Sequence, residues 1–351
     1  MVIETNITKM FGIKHPIIGA PMGPFYTTKL AVGISEAGGL GVLSHTAIAS
    51  EMATGKTSVK AMEENLKYMV EYTDKPFGFN IRTSRLEPEA PVLCRRIPKF
   101  IMDNPKIKEQ CVYAVTSAGS SKMLPHSGAF RKLKESGSNI HHFHVAPALW
   151  LADKCVASGV DGMVITGTEG GGHQSYERVG SLVLLQQVRK KHPDFPIIAC
   201  GGFATGEGLA AALSLGAGAI AMGSRFIASK ESEFHENYKN IVPTAKASDT
   251  MLVTGLFGPI RYWRNKYALE QGLVANKEEK LEQEKSLTQD NLRKRLEKAE
   301  GAYLNGNITD GGVMLGQSIG IINSVESVSD IIDTIMKDAE GRLKYISTLA
   351  K

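Results

Sequence analysis

The stretch TGTEGGGHQS, residues 166–175, sets a histidine directly behind three glycines and close to a glutamate. Glycine loses more freedom on folding than any other residue, so three in succession need a compensating reason. One reason is that bare backbone can approach a ligand while His173 is presented to it. Histidine titrates near neutrality, so at such a place it can remove a proton from carbon or hydrogen-bond a substrate oxygen. The competing reading is a loop histidine that bonds only to backbone. Glu169 reads as an anchor for the loop more than as a reacting group.

A second glycine feature lies in IIACGGFATGEGLAAALSLGA. Gly201 and Gly202 stand between an apolar run and a helical pattern, with Thr205 placed as an N-cap. The first turn of a helix leaves N–H groups unpaired and carries partial positive charge, so such a junction binds phosphate. AMGSRF adds Gly223 and Ser224 after the next apolar run. Spacing alone leaves a phosphosugar, a nucleotide and FMN all open, and ordinary turns are the plainer reading.

Other residues look chemical and read as structural. In HHFH (141–144), strand alternation puts His142 and His144 on one face and His141 on the other. Two histidines could hold a metal, but no third ligand is evident, so packed, hydrogen-bonded rings are expected and no metal site. His45 follows an apolar run and could touch substrate. Tyr262, Trp263 and Arg264 could shape a pocket mouth. Cys94, Cys111, Cys155 and Cys200 show no CxxC spacing and read as reduced thiols.

The elements that must position these residues alternate along the chain. Apolar runs at 16–22, 40–45, 76–83, 111–119, 139–147, 161–167, 196–202 and 219–226 read as strands. Helical patterns at 27–39, 59–73, 148–160, 181–192 and 207–217 lie between most of them. Eight strands with crossovers point to an α/β fold of the (β/α)8 TIM-barrel type, with a doubly wound open sheet as the alternative. Barrel active sites sit at the carboxyl ends of the strands, where the glycine loops fall, and the loops after the last two strands commonly make a phosphate pocket. The pattern breaks after residue 226. The expected division is a barrel over 1–227 and 311–351, with a mostly helical insertion over 228–310 that caps the open end. Within it, 276–301 is dense in Glu and Lys at helical spacing and reads first as a solvated helix.

A formal charge of +5 spread along 351 residues, with no basic patch interleaved with aromatics, gives no argument for nucleic acid. No apolar run reaches transmembrane length, and the first residues carry no apolar leader core, so a cytoplasmic protein is expected.

PIIGAPMG, AGGLGVL, PFGFNI, GTEGGGH and the long segment IIACGGFATGEGLAAALSLGAGAIAMGSRF occur in order between about residues 11 and 230, and GGVMLGQSIGII follows at 311–322. Together they resemble the nitronate monooxygenase (2-nitropropane dioxygenase) family, FMN-dependent (β/α)8 barrels whose superfamily includes the flavin-dependent enoyl-ACP reductases. APMG looks closer to the nitronate branch. KESEFHENYKN (230–240) and GPIRYWRNK (258–266) look closer to the reductase branch.

The resemblance implies that Ala20, Pro21, Met22 and Gly23 line the flavin ring and that Asn80 hydrogen-bonds FMN. It places Gly171 and its neighbour Gly172 near the ribityl or phosphate end, with Thr166 facing the flavin. Gly201, Gly202, Met222, Gly223 and Ser224 would form the phosphate loops, and His173 would be the catalytic residue. The loop departs from the family's wording at Thr166, where Gln is frequent, at Gly170, expected to loosen the loop, and at Ser175. The implied activity is oxidation of alkyl nitronates with a histidine base. The alternative is reduction of enoyl-ACP, enoyl-CoA or quinone substrates with NADH or NADPH as reductant, and a flavin-free phosphate-binding barrel is the third reading. The expected partners are a small-molecule substrate and a second copy of the chain in a homodimer, with no membrane.

Overall fold

The computed structural model describes residues 3–22, 27–45, 56–255, 258–285 and 288–349. Eight parallel strands form one sheet: β1 (Ile17–Gly19), β2 (Gly41–Leu43), β3 (Phe77–Arg82), β4 (Cys111–Ser117), β5 (His141–Ala146), β6 (Gly162–Thr166), β8 (Ile197–Cys200) and β9 (Ala219–Met222). Their order is β1-β9-β8-β6-β5-β4-β3-β2. The bridge Ile18↔Leu40, with Gly19 N–H donating to the Leu40 carbonyl at 2.9 Å, joins the two ends and closes the barrel.

Strand alternation divides the core into layers. Ile18, Val164, Ile198, Ala219 and Ala221 point inward, into a cluster with Tyr113 and Phe143. Ile17, Met163, Ile165, Ile197, Ile220 and Met222 point outward, against the surrounding helices. The helix Asn6–Phe11 plugs one end, where the Phe11 ring lies 5.0 Å from Tyr113 and 5.4 Å from Phe143. Gly162 makes room for this aromatic filling: a Cβ there would sit 2.2 Å from the Phe143 ring.

Two crossover helices appear where the sequence pattern names none, Ala90–Met102 and Gly128–Glu135. The first carries Pro98 within it. An internal proline removes a helical hydrogen bond and ordinarily argues against a helix, and here buried Leu93, Ile97 and Ile101 outweigh it.

The segment after β9 is largely helical, with its Glu/Lys-rich part split into Lys277–Lys285 and Gln289–Leu304. It also contains a hairpin that the sequence pattern does not announce, β10 (Thr250–Gly255) and β11 (Gly258–Trp263). Strand β11 pairs antiparallel with β7 (Gly172–His173), the end of the glycine run. The segment begins by capping two barrel helices. Thr27 makes no side-chain cap for Thr28–Glu36, and Glu233 instead accepts from Lys29 N–H at 2.6 Å, Leu30 N–H at 3.3 Å and the Thr28 hydroxyl at 3.2 Å. Glu231 accepts from Val328 N–H at 2.9 Å, at the start of Val328–Leu349. These carboxylates sit where unpaired N–H groups and the helix dipole favour negative charge.

Candidate active site

A cavity of about 750 Å³ opens at the carboxyl ends of the strands. Twelve of the fourteen sequence-derived site residues line it: Ala20, Pro21, Met22, Asn80, Thr166, Gly171, Gly172, His173, Gly201, Gly202, Gly223 and Ser224. Gly23 lies outside the described residues. Met222 does not reach the cavity. Alternation along β9 turns its side chain outward into the helix interface, and its carbonyl accepts from Ala20 N–H at 3.0 Å.

The glycine loops after β8 and β9 expose bare backbone to the cavity. Gly201 and Gly202 both have φ of +87°, a region side chains rarely adopt. Thr205 caps Gly206–Ser214 by accepting from Gly208 N–H at 3.2 Å. Around Gly223 a Cβ would find only Ala20 and Met22, at 3.9 Å, so the backbone there is open to the cavity. The Ser224 Oγ accepts from Gly316 N–H at 3.0 Å, which leaves its own proton to donate. Asn80 Nδ2 donates to the Val115 carbonyl at 3.0 Å and to Ser117 Oγ at 3.2 Å, so its Oδ1 is the atom turned to a ligand. Thr166 is buried and hydrogen-bonds Cys200, which also lines the cavity.

The glycine run is tied down on both sides. A Cβ on Gly171 would sit 2.7 Å from Gly316 N, and one on Gly316 would sit 2.7 Å from Gly171 N. The run and the GGVMLGQS segment therefore pack backbone against backbone, which accounts for the motif at 311–318. Gly170 does not loosen the loop: its carbonyl accepts from Gln174 Nε2 at 2.8 Å and its N–H donates to Gly167 at 3.0 Å. Glu169 is an anchor. Its carboxylate accepts from Ser181 N–H at 2.9 and 3.0 Å and from the Ser181 hydroxyl at 3.1 Å, at the start of helix Ser181–Lys191. The Ser175 Oγ accepts from Glu177 N–H at 3.2 Å.

His173 is set by β-pairing: its backbone faces Ile260, and Gln174 N–H donates to the Pro259 carbonyl at 2.7 Å. Loss of hydration lowers its pKa to about 3, and the charges of Arg82 and Lys280 push in the same direction. The imidazole is therefore neutral at pH 7. Arg82 is held in place by Glu87, whose Oε1 accepts from Nε at 2.7 Å. The His45 carbonyl accepts from Arg82 Nη1 at 3.2 Å, and His45 Nδ1 accepts from the Arg82 N–H at 2.9 Å. His45 thus braces Arg82 and does not line the cavity.

His142 and His144 do share a face, as alternation predicts. Thr116 Oγ1 bridges His142 Nε2 at 2.8 Å and His144 Nδ1 at 2.7 Å. Burial pushes His144 down to about 4 and holds His142 well below the usual imidazole value. Only His144 of the two lines the cavity. Among the described residues no group of three His, Cys, Asp or Glu side chains is arranged to hold a metal.

Tyr262 lines the cavity, whereas Trp263 packs beside the Ile319 cluster and Arg264 is exposed. The sequence reading missed Arg82, Tyr238, Tyr267, Lys280 and Tyr303, all of which line the cavity. Arg82 ends β3, a catalytic-face position that could have singled it out. The others lie in the inserted segment, and no spacing rule brings them together.

A closed eight-stranded barrel with glycine loops and a deep cavity at its carboxyl face is the architecture of a (β/α)8-barrel enzyme. The profile of the nitronate monooxygenase family matches residues 4–338, and the chain belongs to that family of oxidoreductases. It is 30% identical over 100% of both chains to a (3aS,4S,5R,7aS)-5-hydroxy-7a-methyl-1-oxo-octahydro-1H-indene-4-carboxyl-CoA dehydrogenase of Mycobacterium tuberculosis. It is 28% identical to a nitronate monooxygenase of Pseudomonas aeruginosa, over 72% of this chain and 77% of that one. The structure of FabK from Thermotoga maritima is 28% identical, covers 99% of each chain and superposes with a TM-score of 0.79. No helix among the described residues is long and apolar enough to cross a membrane.

Proposed function

We propose that this protein is an FMN-dependent oxidoreductase that reduces the α,β double bond of an acyl thioester, with NADH or NADPH as electron source. The observation that carries the reading is the surroundings of His173. A neutral imidazole, two cations and the tyrosines of the inserted segment all face one cavity. Such a set stabilises negative charge that develops on oxygen. It is poorly suited to removing a proton, because a base of pKa about 3 is far from the operating pH. A relative named as a carboxyl-CoA dehydrogenase matches along the whole chain, inserted segment included, and supports an acyl thioester as the substrate class.

The residues present fit FMN. Gly201, Gly202, Gly223 and Ser224 would hold its phosphate, and Asn80, Thr166 and the backbone at Ala20–Met22 its ring. When bound, FMN supplies two-electron hydride chemistry. The N–H of neutral His173 holds the thioester oxygen, and Arg82 and Lys280 favour the charge that builds there as the β-carbon is reduced. The 228–310 segment acts as a cap: hairpin β10–β11 fixes His173, and Tyr238, Tyr262, Tyr267 and Tyr303 keep water from the reacting carbon.

Oxidation of nitronates is the second reading. The same anion-stabilising pocket suits a nitronate supplied already ionised, for which no base is needed. Anaerobic flavin reduction tests both. NADH or NADPH should bleach the flavin, and an enoyl thioester should restore its colour. Bleaching by nitronates alone would reject the thioester reading, and a protein that refuses FMN would reject both.

A further inference from the structure

We propose that Trp150 and Lys154 form a binding platform at the cavity rim for the adenosine diphosphate end of a substrate or cosubstrate. The proposal rests on the reductase reading above, because NADH, NADPH and coenzyme A thioesters all carry that group.

Helix Leu149–Ala157 follows β5 and packs Leu149, Leu151, Ala152 and Cys155 against the barrel. Trp150 is turned away from that interface and is 44% exposed. Among the described residues it is the one exposed large apolar side chain that lines the cavity. Indole offers a large flat apolar face, and leaving it in water forgoes the stabilisation that burial gives. A planar ring laid against it recovers that stabilisation.

Lys154 stands one helical turn further on, and its Nζ lies 4.5 Å from the centroid of the indole ring. The neighbouring carboxylate is committed elsewhere: Asp153 accepts from Lys191 Nζ at 2.8 Å and from His192 Nε2 at 2.9 Å. Among the described residues Lys154 forms no ion pair. An aromatic face with a cation beside it matches adenine and the phosphates joined to it through a ribose. The base stacks on the indole, and the ammonium meets the diphosphate. A phosphate alone would use the lysine and leave the indole bare. An apolar acyl chain would use the indole and leave the lysine unanswered.

The platform is placed to serve the reacting position. Strand β5 pairs with β6, Ala146 opposite Ile165, so the loop carrying Trp150 leaves the barrel beside the loop that leads to His173. In the sheet order β5 is two strands from β8, so the platform stands apart from the glycine loop that would hold the flavin phosphate. One molecule can rest its adenine end on the rim and reach into the cavity with its reacting end. Binding energy gained at the rim, remote from the bond being made, would serve to position that end.

ADP is the probe, because it carries the recognised group and nothing that reacts. Isothermal titration calorimetry follows its binding to the flavin-loaded enzyme and to the Trp150→Ala, Trp150→Phe and Lys154→Gln variants, with circular dichroism and flavin content as folding controls. Both side chains are exposed, so these variants should keep the fold. Trp150→Ala should weaken ADP binding about tenfold, the size of one base stacked on an aromatic ring, and Trp150→Phe should restore most of the loss. Lys154→Gln should weaken it severalfold and flatten its dependence on salt. No binding of ADP, or equal binding by Trp150→Ala, would overturn the proposal. Steady-state kinetics then separates the two sources of the group. A raised KM for NADH or NADPH in Trp150→Ala assigns the platform to the dinucleotide. A lower kcat/KM for an enoyl-CoA, with that for its N-acetylcysteamine ester unchanged, assigns it to the thioester. If neither moves while ADP binding is lost, the platform plays no part in turnover and the proposal falls. If NADH and NADPH leave the flavin oxidised and enoyl thioesters leave it reduced, the reductase reading fails, and the ADP titration alone decides whether the platform exists.

Discussion

Gly201→Ala and Gly172→Ala would incur a similar backbone cost and differ in what the added methyl meets. Both glycines hold positive φ, +87° and +78°. Placing an L side chain in that region costs roughly 1–2 kcal/mol. At Gly172 a Cβ has no neighbour within 4 Å, so the backbone term is the whole effect. At Gly201 it would sit 2.7 Å from the Gly167 carbonyl oxygen and 3.1 Å from Gly170 N. Those are backbone atoms of the loop after β6 that leads into the glycine run and cannot swing aside, so an overpacking term of about 1–3 kcal/mol adds. Gly202→Ala is the intermediate control, with φ of +87° and its nearest contact Glu169 Cβ at 3.4 Å. Urea titrations should therefore rank Gly201→Ala as the most destabilised, with the other two close together. Flavin titration should show at least a tenfold weaker affinity for Gly201→Ala, because relief of the overlap moves the phosphate loop and the glycine run together. Equal losses at Gly172 and Gly201 would refute the claim that backbone contact between these loops decides the site.

His173→Gln should retain its flavin and lose at least tenfold in kcat/KM for the thioester, measured by steady-state kinetics. The pH profile of the unaltered enzyme should show no inflection from His173 between pH 5 and 8, since its pKa is held near 3. The same burial makes stability depend on pH. His144 and His173, at about 4 and 3, bind fewer protons folded than unfolded below pH 6.5, so urea midpoints should fall as pH drops from 6.5 toward 4. A flat midpoint over that range would contradict the neutral rings. Glu233→Ala removes an acceptor from three donors at the start of Thr28–Glu36 and should cost about 2–4 kcal/mol in urea unfolding.

The barrel was legible because each strand buries both faces, and a near-continuous apolar run follows. Helix Ala90–Met102 escaped notice because Pro98 argues locally against what its buried face secures. The glycine loops were legible because Gly201 and Gly202 occupy backbone that only glycine adopts freely. The resemblance alone assigned Met222 to the cofactor loops, whereas alternation along β9 sends its side chain away from the cavity. From its place after a strand His45 could have touched substrate, and it braces Arg82 instead. Its partner, Arg82, is 37 residues away, and nothing local names the pair.

By itself the sequence determined the eight barrel strands, the glycine loops after them and a histidine behind a glycine run, since each follows from local burial period or backbone freedom. Only the tertiary structure decided what that histidine is. Its neutrality comes first from burial under the folded chain and then from the charges of Arg82 at the end of β3 and Lys280 in the inserted segment, and its orientation from β11. These groups are separated by up to nearly two hundred residues, and Coulomb energies depend on distance in space. The chain folds back to bring the charges together, and that proximity has no counterpart in spacing along the sequence.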